Sequence, residues 1–179
     1  MKKSLEDIKR DIKYTPFLTV ILMVFITVLF FLQPEGAVER YGLALRAILA
    51  EPWRLVTNHF VHFDVSHFMM NALGLVFLGM LLENAGMKRK HILGGILLAI
   101  VFSDLFILFS QTIRPSLVAG FSGIVYGFIG MTRSIVGRKG VLGLAFLFFG
   151  VGALISGSNI AWSGHIGGFI GGLILAENV

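Results

Sequence analysis

The chain has 179 residues, 56% of them hydrophobic and 14% charged, against roughly 25% charged in a soluble domain, and its mean hydropathy is +0.86. These values exclude an ordinary soluble protein. The net charge of +5 reads as membrane orientation rather than nucleic-acid binding, because the basic residues fall between apolar segments. Cysteine is absent, which rules out disulfides, thiolate metal sites and cysteine nucleophiles.

In chain order, residues 1–13 are polar, with Lys2, Lys3, Lys9, Arg10 and Lys13 set against Glu6, Asp7 and Asp11. Leu5, Ile8 and Ile12 recur at helical spacing, which predicts a short amphipathic helix on the membrane surface. A first spanning helix follows from Pro16 to Leu32, near the short end of the ~17–25 residues a span requires. No small-x-small cleavage site comes after it, so it reads as an uncleaved helix rather than a leader. The long segment from Pro34 to Ser66 is neither spanning nor plainly soluble. Its Pro52-Trp53-Arg54 has the pattern of a headgroup-level anchor, which predicts a loop lying partly in the outer leaflet.

Further spans are predicted over Val65 to Leu82, Ile92 to Phe109, Leu117 to Ile135, Val141 to Ile155 and Ala161 to Ala176. The expectation is an all-α, polytopic membrane protein of six transmembrane helices, a single domain over 14–179 behind a cytoplasmic segment 1–13. Eleven of the fifteen Lys and Arg residues fall on the side of the N-terminus and the second-to-third and fourth-to-fifth turns. Arg40, Arg46, Arg54 and Arg114 fall on the other side. The bias places both termini in the cytoplasm.

On this topology the second, fourth and sixth spans run in the same direction. His67 and Asn71 then begin the second, Ser122 begins the fourth and His165 begins the sixth, so four polar groups from three segments share one depth. Ser122 lies in the glycine-rich stretch Gly120-Phe121-Ser122-Gly123-Ile124-Val125-Tyr126-Gly127. His165 lies in a second, Gly164-His165-Ile166-Gly167-Gly168-Phe169-Ile170-Gly171-Gly172. Glycines four apart are a packing signal in membranes, and they occur in purely structural bundles too. Taken singly, the serine has the bland reading of bonding back to its own helix, and the histidine has those of hydrogen bonding or ion transfer. Taken together they are a nucleophile and a base. His165 would take the Ser122 proton and return it to the leaving amine, while a helix N-terminus at Ser122 would favour a developing oxyanion. His67 and Asn71 could add side-chain donors to that oxygen, and Tyr126, one turn after Ser122, is placed to hold the imidazole. No carboxylate has a claim to complete a triad. The stretch is not G-x-S-x-G, and no strand precedes it, which excludes the soluble hydrolase elbow.

Through Trp53-Arg54, His67-x-x-x-Asn71, Gly120-Phe121-Ser122-Gly123, Tyr126 and His165-x-x-Gly168, the chain resembles the rhomboid intramembrane serine proteases, in their minimal six-helix prokaryotic form. The resemblance implies a Ser122–His165 catalytic dyad. It also implies oxyanion binding by His67, Asn71 and the Ser122 N–H, and packing of Tyr126 on the histidine. Gly120 belongs to the same motif. Glu83 resembles a family acidic residue at the inner end of the second helix. Gly164 departs from the alanine common at that position. The implied substrates are membrane proteins cut in or near spanning helices that unwind toward the outer leaflet, with the site facing outward, no cofactor and no nucleic-acid partner. Water must reach Ser122, which predicts a polar depression capped by a mobile loop, the one after Ile155 being the candidate. His59, His62 and Asp64 complete no metal-ligand set, so His62 is expected to support its loop or to bond near the site. Asp104 is expected to be paired for structural reasons. Two rival readings are a non-catalytic client-binding relative and a proton-coupled transporter using His67, His165 and Asp104.

Overall fold

The computed structural model describes residues 16–112, 116–156 and 161–178. The amphipathic helix expected over 1–13, Arg114 and the loop expected to cap the site (157–160) lie outside them. Every regular element among the described residues is a helix, and one isolated antiparallel bridge joins Leu43 and Val118. The chain is an all-α polytopic membrane protein.

Helix α1 (Phe17–Leu32) follows Pro16, whose ring cannot donate inside a helix but is tolerated at its start. Two short helices, α2 (Ala37–Tyr41) and α3 (Arg54–Thr57), occupy the long connection. Helix α4 (Val65–Asn84) is capped by Asp64, whose Oδ1 accepts the His67 N–H at 2.8 Å. Helices α5 (Arg89–Gln111), α6 (Ser122–Met131), α7 (Arg133–Ser156) and α8 (Trp162–Ala176) complete the bundle. Three of these helices, α4, α5 and α7, are long and apolar enough to cross a membrane, and α1, α6 and α8 are shorter apolar helices.

The expected fourth span differs most from the structure. The sequence predicts it from Leu117, but α6 starts at Ser122 and covers ten residues, about 15 Å of rise against a hydrocarbon core of about 30 Å. The residues before it are drawn into the bridge with Leu43, and Gly120 takes φ 122°, so the backbone cannot be helical there. Irregular backbone at such depth is tolerated only inside protein, and every α6 residue after Ser122 is buried. The fifth span also starts earlier than expected. Its helical hydrogen bonding begins at Arg133, and the axis breaks at Gly137, where φ is 71° and ψ −177°.

Helix α6 is therefore the axis of the bundle. Leu75, Leu78 and Leu82 of α4 pack with Ile124, Phe128 and Ile129 of α6, and Ile26 joins them from α1. On the other side α8 meets both α6 and α5 almost backbone to backbone. A Cβ on Gly168 or Gly172 would collide with the carbonyl oxygen of Gly123 or Gly127 respectively. A Cβ on Gly167 or Gly171 would collide with the Phe102 or Leu98 carbonyl of α5. The glycines of α8 thus form two seams, one against each neighbour, which is small-residue packing at its closest.

Polar side chains tie the periphery to this core. Glu83, at the far end of α4, accepts the Thr19 N–H at 2.7 Å, the Thr19 hydroxyl at 2.6 Å and the Leu18 N–H at 3.0 Å. One carboxylate thereby satisfies the open N–H groups at the head of α1. In the long connection, Trp53 and Arg54 do not act as a matched anchor pair. Trp53 is exposed, whereas Arg54 is turned inward at 8% exposure, donating to the Glu39 and Gly42 carbonyls at 2.9 and 2.6 Å and pairing with Glu51. Desolvating a guanidinium this way is tolerable only because its donors meet backbone carbonyls and a carboxylate.

Candidate active site

The site begins with the way the chain enters α6. Leu43 and Val118 exchange backbone hydrogen bonds of 2.7 and 3.0 Å, and the Gly120 N–H donates to the Asn58 carbonyl at 2.7 Å. Asn58 is itself held by Asp104 of α5, whose Oδ1 accepts its Nδ2 at 3.3 Å. His59 Nε2 lies 3.2 Å from the same oxygen but off the line a hydrogen bond needs. Asp104, expected to be paired, thus anchors the long connection to the bundle. The next N–H, that of Phe121, points at His62 Nε2 at 3.4 Å. For that nitrogen to accept, the ring must be neutral with its proton on Nδ1. Burial first, and then the neighbouring His67, push the His62 imidazole down to about 3, against a weaker upward pull from Asp64.

These contacts fix Ser122 as the first residue of α6. The Ile124 and Val125 N–H groups both reach back to the Phe121 carbonyl, so those of Ser122 and Gly123 have no partner within the helix. Ser122 Oγ lies 2.8 Å from His165 Nε2 on α8. The imidazole stacks on Tyr126, with ring centroids 4.2 Å apart and 14° between planes, and Trp162 meets its edge at 6.0 Å. Phe149 of α7 packs on Tyr126 at 4.6 Å, and the Tyr126 hydroxyl donates to the Phe148 carbonyl at 3.0 Å. His165 Nδ1 is buried and has no protein partner among the described residues. Aromatic faces orient the ring in place of a third hydrogen-bonding residue.

On the other side of the entry loop, His67 and Asn71 border Gly120. A Cβ built there would stand 2.5 Å from His67 Cε1, 2.7 Å from Nε2 and 3.4 Å from Asn71 Nδ2. Glycine is required both for that approach and for its positive φ. Asn71 Nδ2 is buried without an acceptor among the described residues, an expensive state for a donor that has nothing to bind. The six residues singled out in the sequence therefore form two groups, Ser122–His165–Tyr126 and Gly120–His67–Asn71, joined through the backbone of Phe121. Gly164, where alanine is common, is closed over by α5. A Cβ there would come 2.9 Å from Ile107 Cδ1 and 3.1 Å from Ser103 Oγ, so the smaller residue leaves no slack under His165.

Sequence reasoning did not assign Asn58, Phe149 and Trp162. Asn58 directly precedes His59, yet its partners Asp104 and Gly120 lie 46 and 62 positions away, beyond any local pattern.

The rhomboid domain family matches residues 49–177. The chain belongs to the rhomboid family. It is 29% identical over 138 residues to "Rhomboid protease GlpG" of Photorhabdus laumondii, a match covering 70% of this chain and 47% of that protein. It is 31% identical over 134 residues to "Rhomboid protease GluP" of Bacillus subtilis, covering 70% and 26%. "RHOMBOID-like protein 4" of Arabidopsis thaliana is 31% identical over 144 residues, covering 70% and 33%. The chain thus spans about half the length, or less, of these rhomboid relatives.

Proposed function

We propose that this rhomboid is an active intramembrane serine endopeptidase, in which Ser122 is the nucleophile and His165 the general base. The observation that carries the reading is the 2.8 Å contact between Ser122 Oγ and His165 Nε2, made by a ring clamped flat on Tyr126. His165 Nε2 takes the hydroxyl proton as Ser122 Oγ attacks the scissile carbonyl carbon. The carbonyl oxygen, now negative, is met by the Ser122 N–H at the head of α6 and by side-chain donors of His67 and Asn71. Collapse breaks the C–N bond and returns the proton from His165 to the departing amine. Water then enters and loses a proton to the same nitrogen as its oxygen bonds to the acyl carbon, and the second collapse breaks the C–Oγ bond while His165 returns the proton to Ser122 Oγ.

In this reading the unpartnered Asn71 amide is a donor held ready for the oxyanion, so its desolvation is offset when charge develops. The substrates are membrane proteins whose spanning helices unwind easily. Residues 14–179 act as one unit, with both termini in the cytoplasm and the site toward the outer side. That orientation follows from the distribution of Lys and Arg.

The test is labelling of the purified chain in detergent with a fluorophosphonate. Wild type is expected to label, Ser122→Ala not at all, and His165→Ala at least about a hundredfold more slowly. A wild type that stays unlabelled while folded and accessible to the probe overturns the dyad and favours a client-binding rhomboid without catalysis.

A further inference from the structure

At the end of α6 opposite Ser122 lies a cavity of about 260 Å³ that the proposed chemistry does not use. It is lined by Arg133, Arg138, Val141, Leu142, Phe169 and Leu173. Two features make it more than a gap between helices. The first is how its two arginines come to line the same space. On a continuous α-helix, residues five apart point about 140° away from each other. The chain breaks at Gly137, and that break lets Arg133 and Arg138 line one cavity. The second is the rest of the lining, which is apolar and partly open, since Leu142 is exposed on the outer face of α7 and Phe169 and Leu173 are half-buried on α8. The site is thus charged at one end and greasy along its length.

We propose that this groove holds an anionic phospholipid, with the phosphodiester between Arg133 and Arg138 and an acyl chain along Leu142, Phe169 and Leu173. Charge complementarity decides the occupant. Arg133 already meets one carboxylate, Glu177, so an incoming phosphate shares that guanidinium and depends most on Arg138, which has no ion-pair partner among the described residues. Arginine suits the task because its fork matches phosphate oxygens and is only weakly hydrated. Basic pockets between membrane helices take lipid headgroups in this manner. The volume is below the roughly 300–1,000 Å³ of drug-sized pockets, which fits a headgroup rather than a folded partner. Bound there, the lipid bridges the start of α7 to α8 and stabilises their junction.

The experiment uses the full chain in neutral detergent, titrated separately with dioctanoyl phosphatidylglycerol, dioctanoyl phosphatidylcholine and sodium phosphate. Binding is read by native mass spectrometry and by the thermal midpoint. Phosphatidylglycerol is expected to bind and raise the midpoint, with phosphatidylcholine at least tenfold weaker and phosphate without effect. The Arg133→Gln/Arg138→Gln double variant is expected to bind phosphatidylglycerol about thirtyfold less tightly, the loss of two charges at a lipid surface. Arg138→Gln alone, which leaves the Glu177 bridge intact, should show a smaller loss in the same direction. Arg40→Gln/Arg46→Gln, outside the groove, should leave binding unchanged. Equal binding of the two lipids would mean an apolar crevice only, and an equal response to phosphate an anion site only. Either result overturns the proposal, as does unchanged phosphatidylglycerol affinity in the double variant.

Discussion

Helices α8 and α7 are both rich in glycine, and the same residue does opposite things in them. In α8, Gly164, Gly167, Gly168, Gly171 and Gly172 are all buried, and a methyl group on any of the last four would strike a neighbouring carbonyl. In α7, a methyl group on Gly143 or Gly150 would meet nothing within 4 Å among the described residues. The surrounding burial follows the same division, since only 11% of the apolar stretch of α7 is buried, whereas six of the fifteen residues of α8 are. Glycine content alone therefore says little about a membrane helix. What matters is whether a carbonyl lies opposite. Where one does, the glycine sets the interhelical distance, and that distance sets the Ser122–His165 contact.

The strongest way to break this comparison is Gly172→Ala. The new Cβ would run into the Gly127 carbonyl, a backbone atom that cannot rotate aside, so α8 must shift away from α6. Overpacking of this kind costs about 1–3 kcal/mol or more. Because His165 precedes Gly172 on α8 and Ser122 precedes Gly127 on α6, the shift also opens the 2.8 Å contact. The expected outcome is a lower unfolding midpoint together with fluorophosphonate labelling that drops even in the fraction that remains folded. Wild-type stability and labelling in this variant would falsify the claim that the seam positions the dyad.

This seam was only partly legible in the sequence. His67, Asn71, Ser122 and His165 stand out because polar groups are rare in apolar segments, and the alternation of spans places them at one depth, while Tyr126 follows from its spacing to Ser122 and Gly120 from the family motif. The pairing of Gly123 with Gly168 and of Gly127 with Gly172 was not readable, since spacing shows that a face is small but not what it meets. The start of α6 was misplaced by five residues for a similar reason. Leu117, Val118 and Ala119 are as apolar as a span requires, and what keeps them out of the helix is the bridge of Val118 to Leu43, 75 positions earlier, together with the positive φ of Gly120. Arg54 was expected at the headgroups because a charge beside a tryptophan usually is. Its carbonyl partners, 12 and 15 residues back, are a tertiary fact.

Tyr126 sharpens the comparison because it touches both helices, its ring on His165 of α8 and its hydroxyl on the Phe148 carbonyl of α7. Tyr126→Phe removes only the link to α7, at a cost of about 0.5–1.5 kcal/mol for one hydrogen bond. Its labelling rate should stay close to that of wild type. Tyr126→Leu removes the flat surface under the imidazole as well, and labelling should slow several-fold more than in the phenylalanine variant. Measured side by side, equal losses in the two variants would show that the hydroxyl link to α7, rather than the stack, holds His165.

The smallest expected effect falls on α7 itself. Gly143→Ala and Gly150→Ala place a methyl group in open space on a helix, where alanine is favoured over glycine by about 0.8–1.0 kcal/mol in water. In lipid the backbone has fewer alternatives to the helix, so the gain should be smaller and the sign should hold. Each variant is expected to unfold at the wild-type midpoint or slightly above it, with labelling unchanged. A clear loss of stability would mean that the outer face of α7 is covered by something that needs glycine there, such as a second copy of the chain. The two helices would then differ in what their glycines face rather than in whether they face anything, and the open face of α7 would be an interface.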